Sequence, residues 1–430
     1  MSGSARRSGA ARRAGLARRA TGLAVHLARR GGLLPSGTPD RLADDEKVLH
    51  GRFEQTVMVY FPDTRHNLYQ LRQWYGPLIA LNERHPVVVV LQDSRTARLV
   101  RAELGLPAVV IGHYGRLDEL LSRSDVKLAL YVNHSPQNFS ALRFTSLVHV
   151  FLNHGESDKG VSVSNQSKAY DFCFVAGRAA VDRIAAHTML YDAAARCVSI
   201  GRPQLDFDAA PSPPPARSGE RRTVLYAPTW EGAQPSLAYG SVASHGLRLV
   251  RELLADGRFR VLYRPHPLNG LLRGDYGDAD ARIRRLVDEA ASSDPAAGHR
   301  VEAQGSLADS FAAADLLVCD VSAVATDWLP CGRPLVVTLP AEREVSTART
   351  RLLDVVPRLE VGDLGRAADL LAEHAERDPG REQRLALVDY YLGDTTPGVA
   401  TRRFLDACSW AIELRDREWA RAVATGAVGP

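Results

Sequence analysis

The sequence predicts an α/β protein of two doubly wound, Rossmann-like domains facing a cleft. Short apolar runs alternate with helical patterns along the whole body, as in parallel sheets covered on both faces. That alternation is interrupted once, by a proline-, serine- and alanine-rich stretch at residues 206–221, and then restarts. A length of 430 residues suits two domains at roughly 100–200 residues each.

The expected organisation is a basic arm (1–45), a first Rossmann-like domain (46–206), a linker (207–221), a second such domain (222–395) and a helical C-terminal segment (396–430). The strands of the first domain are QTVMVYF, VVVVL, AVVIG, VKLALYV, SLVHVFL, YDFCFVAG and RCVSIG. DFDAAPSPPPARSGER follows without apolar periodicity, as expected of a semi-rigid linker. The second set is RTVLYAPT, FRVLYRPH, HRVEA, DLLVCDVS and RPLVVTLP, with a helix through ARIRRLVDEAA. Ligands of such sheets bind beyond the carboxyl ends of the strands.

Composition excludes several classes. Hydrophobic residues make up 45% and charged residues 24% of the chain, as in an ordinary globular protein. Cys173, Cys197, Cys319, Cys331 and Cys408 form no CxxC pair and no disulfide framework. No apolar run reaches the roughly 18 residues of a membrane span. There is no GxxxxGK[ST], no GxGxxG after the first strand and no HExxH, so P-loop hydrolysis, dinucleotide chemistry and zinc proteolysis are disfavoured, and no metal or cofactor is expected.

Net charge is +4, yet eight arginines from Arg6 to Arg30 precede the first acidic residue, Asp40, which leaves about −4 for the rest. TGLAVHLA after a twin arginine is too short and too broken by His26 for an export signal. With Leu16, Ala20, Leu23 and Leu27 on one helical stripe, the arm suits an anionic membrane surface. The alternative is an unstructured tail. Nucleic acid is not an expected partner, because neither aromatic interleaving nor a basic body accompanies the arm. The expected location is cytoplasmic, peripheral on the inner face of the membrane.

The chemistry-bearing residues stand at strand ends. In RFRVLYRPHPLNG, Pro265 and Pro267 hold Arg264 and His266 extended beyond an apolar strand. His154, Gly155 and Lys159 follow SLVHVFL; Thr229 follows VLYAP; Ser322 and Asp327 follow LLVCD. Together they suggest an interdomain cleft for an anionic ligand, in which backbone amides near Ser322 attract phosphate. The plainer alternatives are helix capping by Asp320 or Ser322, a solvated first-turn carboxylate at Asp327, a turn residue at Thr229, a solvated loop charge at Lys159 and strand-end caps at His154 and His266.

HGESDK, GRPQLD, VLYAPTWEG, YRPHP and DVSAVATDWL, over roughly residues 145–405, resemble in order and interval the CDP-glycerol glycerophosphotransferases of teichoic acid synthesis. His154 and Gly155 match the family's His-Gly; Gly201, Pro203 and Asp206 its Gly-x-Pro-x-x-Asp; Tyr226 to Trp230 its Tyr-Ala-Pro-Thr and aromatic; His266 and Pro267 its second His-Pro. Asp320, Ser322 and Asp327 match a further motif, and Gly398, Thr401 and Arg403 one near the end. Glu156 and Ser157 depart from Thr-Pro, Val321 and Ala323 replace a tyrosine and a serine, and Glu231 stands where a basic residue is common.

The resemblance implies a GT-B-like architecture and a transferase that moves glycerol phosphate or a similar polyol phosphate from a CDP-activated donor to a hydroxyl of a polymer or lipid-linked acceptor, releasing CMP. His154 would be the base and His266 a second catalytic group. Gly155, Lys159, Thr229, Arg264, Ser322 and Asp327 would bind substrate. The alternatives are a nucleotide-sugar glycosyltransferase of the same architecture and a non-catalytic subunit of a surface-polymer assembly complex.

Overall fold

A computed structural model describes Asp44 and residues 50–159, 164–207, 221–232, 238–303, 305–341 and 350–427. The basic arm apart from Asp44, and nearly all of the expected linker, lie outside the described residues.

The first domain is a sheet of seven parallel strands in the order β3-β2-β1-β4-β5-β6-β7. The strands are β1 (Val57–Phe61), β2 (Val87–Leu91), β3 (Ala108–Val110), β4 (Leu128–Tyr131), β5 (Val148–Phe151), β6 (Phe172–Val175) and β7 (Cys197–Ser199). The second is a sheet of six in the order β10-β9-β8-β11-β12-β13, again all parallel. It comprises β8 (Arg222–Ala227), β9 (Phe259–Tyr263), β10 (Arg300–Val301), β11 (Leu316–Asp320), β12 (Leu335–Thr338) and β13 (Arg358–Leu359). In each sheet the winding reverses once, between β1 and β4 and between β8 and β11, which opens a crevice at the strands' carboxyl ends.

The unbroken apolar runs have a direct cause. In β1, Val57, Val59 and Phe61 enter the core on one face of the sheet while Met58 and Tyr60 enter the core on the other. In β8, Leu225 and Ala227 face one core and Val224 and Tyr226 the opposite one. A strand buried on both sides cannot alternate apolar with polar residues.

The chain then returns to its first domain. The last helix, Val399–Ala424, buries Phe404, Ala407, Cys408, Ala411 and Ile412 against the core that holds Val57 and Val59. Asp206 fixes that crossing: its carboxylate accepts the N–H of Gly398 (2.8 Å) and both the N–H (2.8 Å) and hydroxyl (2.6 Å) of Thr401. Two motifs almost 200 residues apart in the chain are thus one contact.

Candidate active site

Beyond β5, Asn153 takes a left-handed conformation (φ 57°), which its short polar side chain tolerates. Its amide spans the turn, accepting the N–H of His154 (2.8 Å) and donating to the carbonyl of Gly155 (2.8 Å). The turn aims His154 at the second domain. Gly155 is required by proximity, since a Cβ there would stand 2.8 Å from the Cβ of Ala323.

Beyond β9, the two prolines deliver His266 into the same cleft. Its Nδ1 accepts the N–H of Leu268 (3.1 Å), so in the neutral ring the proton sits on Nε2. The loop that follows is clamped by the buried carboxylate of Glu231, which accepts the N–H groups of Gly270 (2.9 Å), Leu272 (2.8 Å) and Arg273 (3.2 Å). A basic residue at 231 could accept none of these.

The two histidines, from different domains, meet the same aromatic ring. Tyr69 lies edge-on to His154 at 6.0 Å and to His266 at 5.2 Å between centroids, and Trp230 stacks over His266 at 6.3 Å. Burial pushes His154 down to about 4, helped by the charges of Arg202 and Lys159 and opposed by the Val132 backbone. Burial likewise lowers His266 to about 3, with Lys159 and His154 adding to the effect. Both rings are therefore neutral at physiological pH. His154 Nδ1 makes no hydrogen bond.

Lys159 crosses the cleft to donate to the hydroxyl of Thr229 (2.8 Å). Burial lowers its ammonium to about 8, against the attraction of Asp320. Asp320, fully buried, accepts the N–H of Thr229 (2.7 Å) and of Ser241 (3.2 Å) and the hydroxyl of Thr338. It braces the loop after β8 and does not cap the following helix. Nor does Ser322: its side chain makes no capping bond, and its buried Oγ makes no hydrogen bond. The capping alternative is absent for both residues.

Asp327 and Arg264 are engaged by other residues. The Asp327 carboxylate is held by Arg202 through Nε (2.9 Å) and Nη2 (3.0 Å), a two-pronged ion pair between domains. Arg202 also donates to the carbonyl of His154 (3.4 Å) and to Gln73 (3.2 Å). Arg264 donates to Ser310 (3.0 Å) and to the carbonyl of Gly305 (2.9 Å), inside its own domain. Glu156 pairs with Arg183 (2.7 Å), while its carbonyl accepts the Thr326 hydroxyl (2.7 Å) across the cleft.

Sequence reading passed over Arg202, Tyr69 and His134. Arg202 sits inside a quoted motif, and His134 follows VKLALYV much as His154 follows SLVHVFL, so both carried a signal. Tyr69 carried none. Among the described residues, no three His, Cys, Asp or Glu side chains gather as a metal site, and no helix is long and apolar enough to cross a membrane.

Two parallel-sheet domains closing on a cleft lined by a histidine from each make a GT-B-like architecture. Residues 150–387, more than half the chain, match the family described as CDP-Glycerol:Poly(glycerophosphate) glycerophosphotransferase. The chain belongs to that family and is a transferase of its type, moving a polyol phosphate from a CDP-activated donor to a hydroxyl of a polymer acceptor. Solved structures agree in fold. The wall teichoic acid polymerase TagF, as a histidine variant soaked with CDPG, is similar at 12% identity over 87% of this chain and 91% of its own, with a TM-score of 0.52. A UDP-N-acetylglucosamine 2-epimerase of Listeria monocytogenes matches at 12% identity over 83% and 96% (TM-score 0.53), and S. aureus MnaA with UDP at 12% over 84% and 97% (0.52). No curated protein matches the chain in sequence.

Proposed function

We propose that the transfer takes place between His154 and His266. The observation that carries this reading is their convergence, from the carboxyl ends of two different sheets, on the ring of Tyr69. The acceptor hydroxyl gives its proton to His154, whose Nδ1 is unengaged, as its oxygen attacks the β-phosphorus of the CDP-alcohol. A new O–P bond forms, the bond from that phosphorus to the bridging oxygen breaks, and CMP leaves.

His266, with its proton on Nε2, donates to a phosphoryl oxygen, and Lys159, Thr229 and Ser322 supply further donors on the second domain. Gly155 lets the two halves close. Such groups act through positioning and electrostatics, the main resources of phosphoryl transfer. An anionic donor would also raise both histidines from their low resting values, drawing His154 toward the range of an effective base. Arg264 and Asp327 serve this site by holding the surrounding loops. His154→Ala should lower kcat by about 10²–10⁴, the scale of general-base catalysis, with CDP-glycerol affinity by calorimetry within a few fold. Turnover near wild type in that variant would remove His154 from the mechanism.

The basic arm extends the reading to location. Eight arginines before any acidic residue, at on the order of 1 kcal/mol each near an anionic leaflet, would place the enzyme on the inner membrane face beside a lipid-linked acceptor. Deleting residues 1–36 should abolish low-salt binding to phosphatidylglycerol vesicles while turnover on a soluble acceptor persists. Full-length protein that ignores such vesicles would refute this placement.

A further inference from the structure

The winding reversal of the first sheet carries a polar cluster that the transfer chemistry leaves unused. Asp63 follows β1, and Asn133 and His134 follow β4, the two strands that flank the reversal. The Asn133 amide nitrogen donates to Asp63 (2.6 Å) and to Gln70 Oε1 (2.7 Å), while its oxygen accepts the N–H of Ser135 (3.3 Å). Gln70 in turn donates to the hydroxyl of Tyr69 (3.1 Å). The Tyr69 ring packs edge-on against both histidines, and from its hydroxyl a chain of hydrogen bonds runs through Gln70 and Asn133 to Asp63.

The cluster is built for a ligand that is not an anion. Burial raises the Asp63 carboxyl, and burial beside His154 lowers His134 to about 3, leaving its ring neutral. His134 stacks on Phe151 at 3.9 Å and its buried Nδ1 has no hydrogen-bond partner, the kind of unsatisfied polar atom that calls for an explanation in a native fold. Gln70 uses one amide hydrogen on Tyr69 and one carbonyl lone pair on Asn133, and its amide has capacity for one more of each. A carboxyl and an amide joined through Asn133, with an unprotonated imidazole on the next residue of the chain, match the alternating donors and acceptors of neighbouring hydroxyls. Two residues beyond Asp63, Arg65 and His66 are exposed on the adjoining turn, where a phosphodiester attached to such a polyol could be met.

We propose that Asp63, Gln70, Asn133 and His134 form the acceptor subsite, which grips the hydroxyls of the acceptor's terminal polyol unit and presents the reacting one to His154. This rests on the transfer reading given above and adds to it the side of the cleft, the residues and the uncharged polyol chemistry by which the acceptor is recognised.

The test uses full-length protein and a soluble glycerol-phosphate oligomer with a free terminal hydroxyl. Gln70→Ala and Asp63→Asn should each weaken binding of the oligomer by about tenfold, the equivalent of one hydrogen bond of about 1.4 kcal/mol, and raise its KM alike. CDP-glycerol affinity should stay within twofold, a split that a merely structural role would not produce. His134→Asn, which retains an acceptor in place of the imidazole, should lose less than His134→Leu. If the wild type binds the oligomer and the variants do not, but no CDP-glycerol is turned over, the subsite stands and the transfer reading fails. If the wild type does transfer and the folded variants bind the oligomer as it does, the subsite is overturned; so is it if the wild type fails to bind the oligomer, or if the variants lose donor affinity instead.

Discussion

At the scale of single residues, the cleft is defined by side chains kept in electrically unusual states. His134, His154 and His266 are all held well below the ordinary 6.5 by burial, to about 3, 4 and 3. The consequence for stability has a definite sign. Between pH 6.5 and about 3 the unfolded chain binds a proton at residue 266 that the folded protein excludes, so the contribution of His266 is intact above pH 6.5 and is lost as pH falls through that window. His266→Gln cannot take up that proton. Its urea-derived stability should therefore decline with acid less steeply than wild type, by up to about 1.4 kcal/mol per pH unit. Parallel profiles for the two proteins would show that His266 titrates normally.

At the scale of elements, the loops and turns around the cleft are held by carboxylates that accept their backbone N–H groups. Asp320 braces the loop after β8, Asp206 the start of the last helix, and Glu231 the loop after β9. Each answers the same problem: backbone donors beyond a strand's end, or in the first turn of a helix, have no ladder or turn to join. Glu231→Gln keeps the size but removes the charge and one acceptor oxygen. We expect a loss of about 1.5–3 kcal/mol in chemical denaturation, the scale of a hydrogen bond to a charged group, together with weaker CDP-glycerol binding as the His266 loop loosens. Unchanged donor affinity would separate the clamp from the site. This element also shows what was legible in the chain. RPHPLNG announced a fixed histidine through its two prolines, whereas Glu231, read only as a departure from a basic residue, gave no sign that it ties down that loop.

At the scale of the whole molecule, the proposed site is shared between the two domains, and several contacts join them. Arg202 and Asp327 pair across the boundary, Lys159 reaches Thr229, and the Thr326 hydroxyl donates to the Glu156 carbonyl. A Cβ on Gly155 would stand 2.8 Å from that of Ala323, and here the replacement of a serine by alanine acquires a steric meaning. Adding a methyl at Gly155 should separate the domains or strain them, costing about 1–3 kcal/mol and most of the activity. The double variant Gly155→Ala with Ala323→Gly should recover both, because the space is shared. Thermal unfolding and turnover of the two single variants and the double variant measure this, and a double variant no better than Gly155→Ala would mean that the contact is not what closes the cleft.

What the sequence determined by itself was whatever has a local or periodic cause. Runs such as VMVYF and VVVVL are apolar throughout because both faces of a parallel strand are covered, and the prolines around His266 constrain their own neighbours. From these the two parallel sheets and the strand-end histidines were readable. Tertiary structure alone decided which partners each strand-end residue meets. Arg264 and Asp327 lie in motifs as prominent as that of His266, yet one bonds Gly305 and Ser310 and the other Arg202, while Tyr69, in an unremarkable helix, stands between the histidines. The reason is physical: where a side chain goes beyond a strand's end is set by contacts with segments up to about 200 residues distant, and no local pattern encodes the closing angle of two domains.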